Sequence, residues 1–127
     1  MNARKFDDFV DQALKEIPEE FLDKLDNVSI FVEDFPTKEQ LARLNMKHGF
    51  LLGLYEGTPL TKRGRYGIGG QLPDRITLFR VPILKLAKDI DHLVEIIKGT
   101  VMHEVAHHFG MDEYMVREAE SKRRAKG

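Results

Sequence analysis

The chain contains no cysteine and no tryptophan. Without cysteine there is no disulfide framework and no thiolate ligand, so any metal site must be built from imidazole and carboxylate. Apolar runs of the roughly 20 residues needed to span a membrane are missing as well. The first residues, Met1 to Asp11, are polar and acidic where a secretory leader would be apolar. A cytoplasmic setting with no membrane partner is the expectation. An excess of charge of one sign is also lacking. Lys+Arg total 20 against Asp+Glu 21, so no overall field favours nucleic acid or an anionic surface. The basic end, Lys122, Arg123, Arg124 and Lys126, reads as a solvated terminus, with a polyanion contact as the lesser alternative. A phosphate cradle is missing too. Gly67, Gly69 and Gly70 lack the dinucleotide spacing, and Lys62, Arg63 and Arg65 lack the lysine-then-hydroxyl ending of a phosphate loop.

What is present fits one domain over residues 1–127, large enough for one core but not for separate catalytic and substrate-binding units. Phe6, Phe9, Val10, Ala13, Leu14 and Ile17 recur at helical spacing, predicting a helix over residues 3–17. Pro18 ends it and opens a short helix to about Leu25. Val28, Ile30 and Val32 alternate with Ser29, Phe31 and Glu33 as in a strand, closed by Phe35-Pro36. Thr37 and Gln40 match a capping box for a helix over Lys38 to Leu44. Residues 50–55 read as a buried strand, residues 56–74 as a long glycine- and proline-rich loop, and Arg75 to Val81 as a third strand ended by Pro82. Asp91 is the expected N-cap of a long helix running through His108 to a stop at Gly110, and a last helix is expected over Asp112 to Arg123. The order implies an α+β fold with helices against a small sheet.

Within the long helix stands His103-Glu104-Val105-Ala106-His107, the H-E-x-x-H pattern. At about 100° per residue, His103 and His107 lie about 40° apart on one face and one turn apart along the axis, suited to two nitrogens converging on one zinc ion. Glu104 projects about 100° to the side, where it can act on a water as general base without displacing an imidazole. Val94, Ile97, Val101 and Val105 form a separate apolar face for the core. Gly99 lies one turn before His103, where a glycine is unfavourable; close approach of a strand or of substrate would account for it, as would relief of crowding between packed elements. His108 is turned toward the apolar face and reads as a core histidine or a support to the site, with ligation the lesser reading. His48 and His92 default to the surface.

From His103 the chain continues His-Glu-Val-Ala-His-His-Phe-Gly-Met-Asp-Glu. With Leu51-Leu-Gly-Leu-Tyr-Glu-Gly57 and Leu72-Pro-Asp-Arg-Ile-Thr-Leu-Phe-Arg80, it resembles the bacterial minimal-zincin family of small zincin-like metallopeptidases. The likeness covers nearly the whole chain. It implies a compact minimal zincin-like fold, a small mixed sheet packed against helices with the H-E-x-x-H helix at its centre, and a third metal ligand after the Gly110 turn. That family most often has aspartate at the third position, whereas this chain has Glu113, with Asp112 just before it. Either carboxylate could ligate, and position favours Glu113. A full metzincin is excluded, since Met115 is too close to Glu113 to form a methionine turn beneath the metal.

The resemblance implies a zinc-dependent peptidase with His103, His107 and Glu113 as ligands and Glu104 as general base. Tyr55, Tyr66, Tyr114, Arg75 and Arg80 are candidates for steadying the oxyanion. The alternative is a zincin scaffold that binds metal and serves as a binding or regulatory module without turnover; the near-absence of chain for specificity subsites is its best support. A purely structural zinc is weaker, because it leaves Glu104 without a role. The expected partner is a peptide or protein segment in extended form, paired with a sheet edge. Arg75 to Arg80 is the candidate edge, and an interior strand is its alternative.

Overall fold

Ile76, Thr77, Leu78 and Phe79 are each fully buried, which a strand achieves only with cover on both faces. The computed structural model describes residues 2–44, 51–57 and 73–110. In it this segment, β3 (Asp74–Phe79), is the middle of a three-stranded sheet. On one side β1 (Val28–Glu33) runs parallel to it, with Ile30 opposite Ile76. On the other, β2 (Gly53–Glu56) runs antiparallel, with Tyr55 opposite Ile76. The sheet is therefore mixed, as expected. The expected substrate edge at Arg75 to Arg80 is corrected, because both edges of β3 are already paired. Among the described residues the outer strands are β1 and β2.

Helices cover the sheet. α1 (Ala3–Lys15) buries Phe6, Val10 and Ala13 and packs on the long helix α5 (Ile90–Phe109). Ile17 and Phe21, the latter in α2 (Glu19–Leu22), extend the same core. A 3₁₀ turn (Asp23–Leu25) follows, then β1. α3 (Lys38–Arg43) starts at the expected capping box. Gln40 donates its amide N–H to Thr37 Oγ1 at 3.0 Å, and Thr37 returns its own to Gln40 Oε1 at 2.8 Å.

Several boundaries differ from expectation; β2, for one, covers Gly53–Glu56 instead of residues 50–55. Strand β3 stops at Phe79, and Arg80 begins a helix, α4 (Arg80–Leu86), with Pro82 in its first turn. First-turn N–H groups have no intrahelical acceptor, so proline there removes nothing and starts a helix instead of closing a strand. Helix α5 is capped by Asp89, whose Oδ1 accepts from His92 N at 2.8 Å, and not by Asp91. Asp91 sits in the first turn, where its charge faces the positive end of the helix dipole. The expected helix over Asp112 to Arg123 and most of the 56–74 loop lie outside the described residues. No described helix is long and apolar enough to cross a membrane.

Sheet and long helix meet most tightly at Gly53. A Cβ built there would stand 2.6 Å from Thr100 Cγ2 and 3.3 Å from the Thr77 carbonyl oxygen. Thr100 is short, branched and anchored by its hydroxyl to the Ile96 carbonyl at 2.7 Å, so it cannot swing away. Gly53→Ala is therefore expected to destabilise the protein by about 1–3 kcal/mol through overpacking. Urea unfolding measures this, and Thr100→Ser, which removes the offending methyl, should recover part of the loss in the double variant.

Candidate metal centre

Buried positions on α5, including Val94, Ile97, Val101, Met102 and Val105, hold the helix to the core along the expected apolar face. That fixes its rotation. His103 and His107 are left exposed on the other side, and Glu104 is half-buried between that face and the sheet. Neither imidazole has a hydrogen bond or ion pair among the described residues, and each ring carries a nitrogen able to ligate a metal. A zinc ion suits this donor set, since neutral imidazole nitrogen is one of its preferred ligands.

Glu104 is tied down. Its Oε1 accepts the main-chain N–H of Tyr55 in β2 at 2.9 Å, a contact spanning 49 positions of sequence. Burial raises its carboxyl above the ordinary glutamate range; the Tyr55 amide and the nearby His107 and His103 pull the other way and only in part offset it. The result is a carboxylate more basic than a surface glutamate and fixed in orientation.

Helix α5 ends as expected at Gly110, in the left-handed conformation at φ 69°, with its N–H on the Ala106 carbonyl. The helix thus closes three residues after His107. Glu113 and Asp112, the two candidate third ligands, lie outside the described residues, as do Tyr66, Tyr114 and His48. Among the described residues no group of three His, Asp or Glu side chains is poised around one point.

His108 does not enter the core. The last turn of α5 is exposed, and the His108 ring stacks on Tyr55 with centroids 3.8 Å apart and planes at 15°. Its Nε2 lies 4.0 Å from Asp74 Oδ2. The Tyr55 hydroxyl donates to the same Asp74 oxygen at 2.7 Å. These three side chains lock the end of the motif helix to β2 and to the start of β3. Of the described oxyanion candidates, Tyr55 alone belongs to the strand that touches Glu104, and its hydroxyl is engaged with Asp74. Arg75 lies over the Phe31 ring at 4.6 Å and donates to Thr77, while Arg80 pairs with Asp34 at 2.8 Å. Phe31 is in β1, and Asp34 directly follows that strand, so these contacts of the two arginines lie on the β1 side of the sheet.

Sequence reading did not find the Tyr55 amide or Asp74. A main-chain donor has no residue signature, and Asp74 stood in a loop prediction. It also did not find the groove that opens beside the motif, about 350 Å³, lined by Leu51, Leu52, Gly53, Leu86, Ile96, Gly99, Thr100, His103 and Glu104. At Gly99 a Cβ would meet nothing within 4 Å among the described residues, so neither a strand approach nor crowding from any of these explains that glycine. The close approach belongs to Gly53.

Comparison with known proteins agrees with this architecture. A conserved hypothetical protein from Thermo thermophilus, of known structure, is 24% identical and superposes with a TM-score of 0.52, over 86% of this chain and 94% of that one. At that identity the likeness concerns the fold alone. No curated protein matches the chain. The zincin-like metallopeptidase model, whose family normally binds zinc, matches residues 25–123, the whole motif helix included. The chain belongs to the zincin-like metallopeptidase family.

Proposed function

We propose that this protein is a zinc-dependent peptidase in which His103, His107 and a carboxylate after Gly110, Glu113 by position, hold the metal, and Glu104 is the general base. The observation that carries the reading is the placement of Glu104. Its carboxylate is half-buried, raised in basicity and anchored to a strand by the Tyr55 amide, while two exposed imidazoles stand on the adjacent face. A structural zinc site would have no use for such a glutamate. Zinc, when bound, would polarise the scissile carbonyl and make a water acidic enough to attack it at neutral pH.

Glu104 performs the proton transfers. Because the Tyr55 N–H occupies Oε1, the proton from the attacking water goes to the other oxygen. As the new carbon–oxygen bond forms and the carbon–nitrogen bond breaks, Glu104 returns that proton to the departing amine. Elemental analysis together with peptide hydrolysis, with and without a chelator, tests the reading. Stoichiometric zinc with chelator-sensitive cleavage is expected; zinc without any cleavage would favour a binding or regulatory module on the same scaffold.

The substrate fits as an extended segment along β2. In the antiparallel β2–β3 ladder Leu52 O accepts from Phe79 N at 2.9 Å, so by alternation the main-chain groups of Gly53 and Tyr55 face away from β3. Tyr55 already turns its N–H to the catalytic glutamate. A peptide pairing with this side of β2 would lie beside His103. Amide hydrogen exchange with and without a peptide hydroxamate should show new protection at Gly53. Ile76 to Phe79, already paired, should change little, and the opposite pattern would exclude β2 as the docking edge.

A further inference from the structure

We infer that the groove beside His103 and Glu104 is a subsite for a large apolar side chain next to the bond to be cut, and that Gly99 sets its depth. The inference rests on the peptidase reading and adds a substrate class to it. A cavity of about 150 Å³ accommodates a benzene ring. The groove, at about 350 Å³, has room for an aromatic or branched aliphatic side chain.

Its walls select such a side chain. Leu51, Leu52 and Ile96 are half-buried and Leu86 is 43% exposed, so an apolar occupant would remove aliphatic surface from water at four points. Away from His103 and Glu104 the groove wall offers a polar side chain few partners. The hydroxyl of Thr100 is already donated to the Ile96 carbonyl, and a polar side chain there would be desolvated with little to replace its water. At one end the groove reaches His103 and Glu104, which places its occupant beside the reacting atoms.

Gly99 stands on the same helix face as His103, one turn earlier. Glycine is unfavourable inside a helix, and here packing by the described residues does not require it, since an added Cβ meets none of their atoms within 4 Å. A longer side chain would project into the groove and shorten it. Absence of one is what keeps the subsite open.

The test uses the full chain with zinc and a peptide series carrying Gly, Ala, Leu or Phe at each position flanking the cleaved bond. At one position kcat/KM is expected to rise about 10- to 100-fold from Gly to Leu or Phe. Gly99→Leu should bring that ratio near one with zinc content retained. Gly99→Ala, the milder change, should lower it part of the way and guards against a folding failure of the leucine variant. A second readout needs no turnover. N-acetylphenylalaninamide added to the protein as isolated should shift the amide resonances of Gly53, Gly99 and Thr100, and N-acetylglycinamide should not. Cleavage without side-chain preference, or with a preference unchanged in both Gly99 variants, overturns the subsite and leaves the peptidase reading standing. Resonance shifts abolished by Gly99→Leu, in a protein that cleaves none of the series, support the apolar subsite and count against the peptidase.

Discussion

Replacing Glu104 with glutamine is expected to lower peptide hydrolysis by about 100- to 10,000-fold, the range that a positioned general base contributes, with zinc content unchanged. Glutamine is the informative replacement. Its side-chain oxygen can still accept the Tyr55 N–H that Glu104 Oε1 accepts at 2.9 Å, so the β2–α5 junction keeps its hydrogen bond while the basic oxygen is lost. Glu104→Ala, by contrast, leaves that amide without its acceptor and adds a packing defect to the chemical one. A large fall in kcat with little change in KM is the signature of a group acting in the transition state. If Glu104→Gln loses zinc as readily as a histidine variant, Glu104 is a ligand and the mechanism is wrong.

The same contact shows where sequence reading succeeds and where it stops. Helical phase alone assigned the buried face of α5 through Val94, Ile97, Val101 and Val105, and with it the solvent-facing position of His103 and His107. Local signals of a few residues held equally well: the Thr37–Gln40 capping box and the left-handed Gly110 are both present. Competing local signals were harder to rank. Asp89 and Asp91 are both good caps, and only the extended backbone at Asp89 decides between them. Pro82 can end a strand or open a helix, and the chain does both within three residues.

What stayed out of reach was tertiary. The β3 segment carries the alternation of a strand, but nothing in it says which neighbours lie on its edges, and it became the sheet centre instead of the docking edge. Gly99 invited the explanation that belongs to Gly53, because a glycine does not announce whether it admits a neighbour or leaves a space. His108 has the helical phase of a core residue. It is exposed because α5 continues past the packed region for one more turn, where Tyr55 and Asp74 take its ring.

Zinc content should fall from about one equivalent to near none in His103→Ala and in His107→Ala, and hydrolysis should vanish with it. Catalytic zinc keeps three protein ligands and one open position, so removing either imidazole leaves two ligands, too few to compete with a chelating buffer. The fold should survive. Both histidines are exposed and make no hydrogen bond among the described residues, and surface changes of this kind alter stability by within about 0.5 kcal/mol. Thermal unfolding of the metal-free variants against metal-free parent protein checks that point separately from metal loss. In zinc-loaded protein the parent alone should gain stability, because an ion that binds only the folded state raises the unfolding free energy by mass action. The carboxylate can be assigned by the same assay: Glu113→Ala should weaken zinc binding and Asp112→Ala should not, and the reverse would move the third ligand by one residue. Zinc retained at full stoichiometry in both histidine variants would mean that the ion sits elsewhere, and the proposed metal centre would fall with Glu104's role beside it.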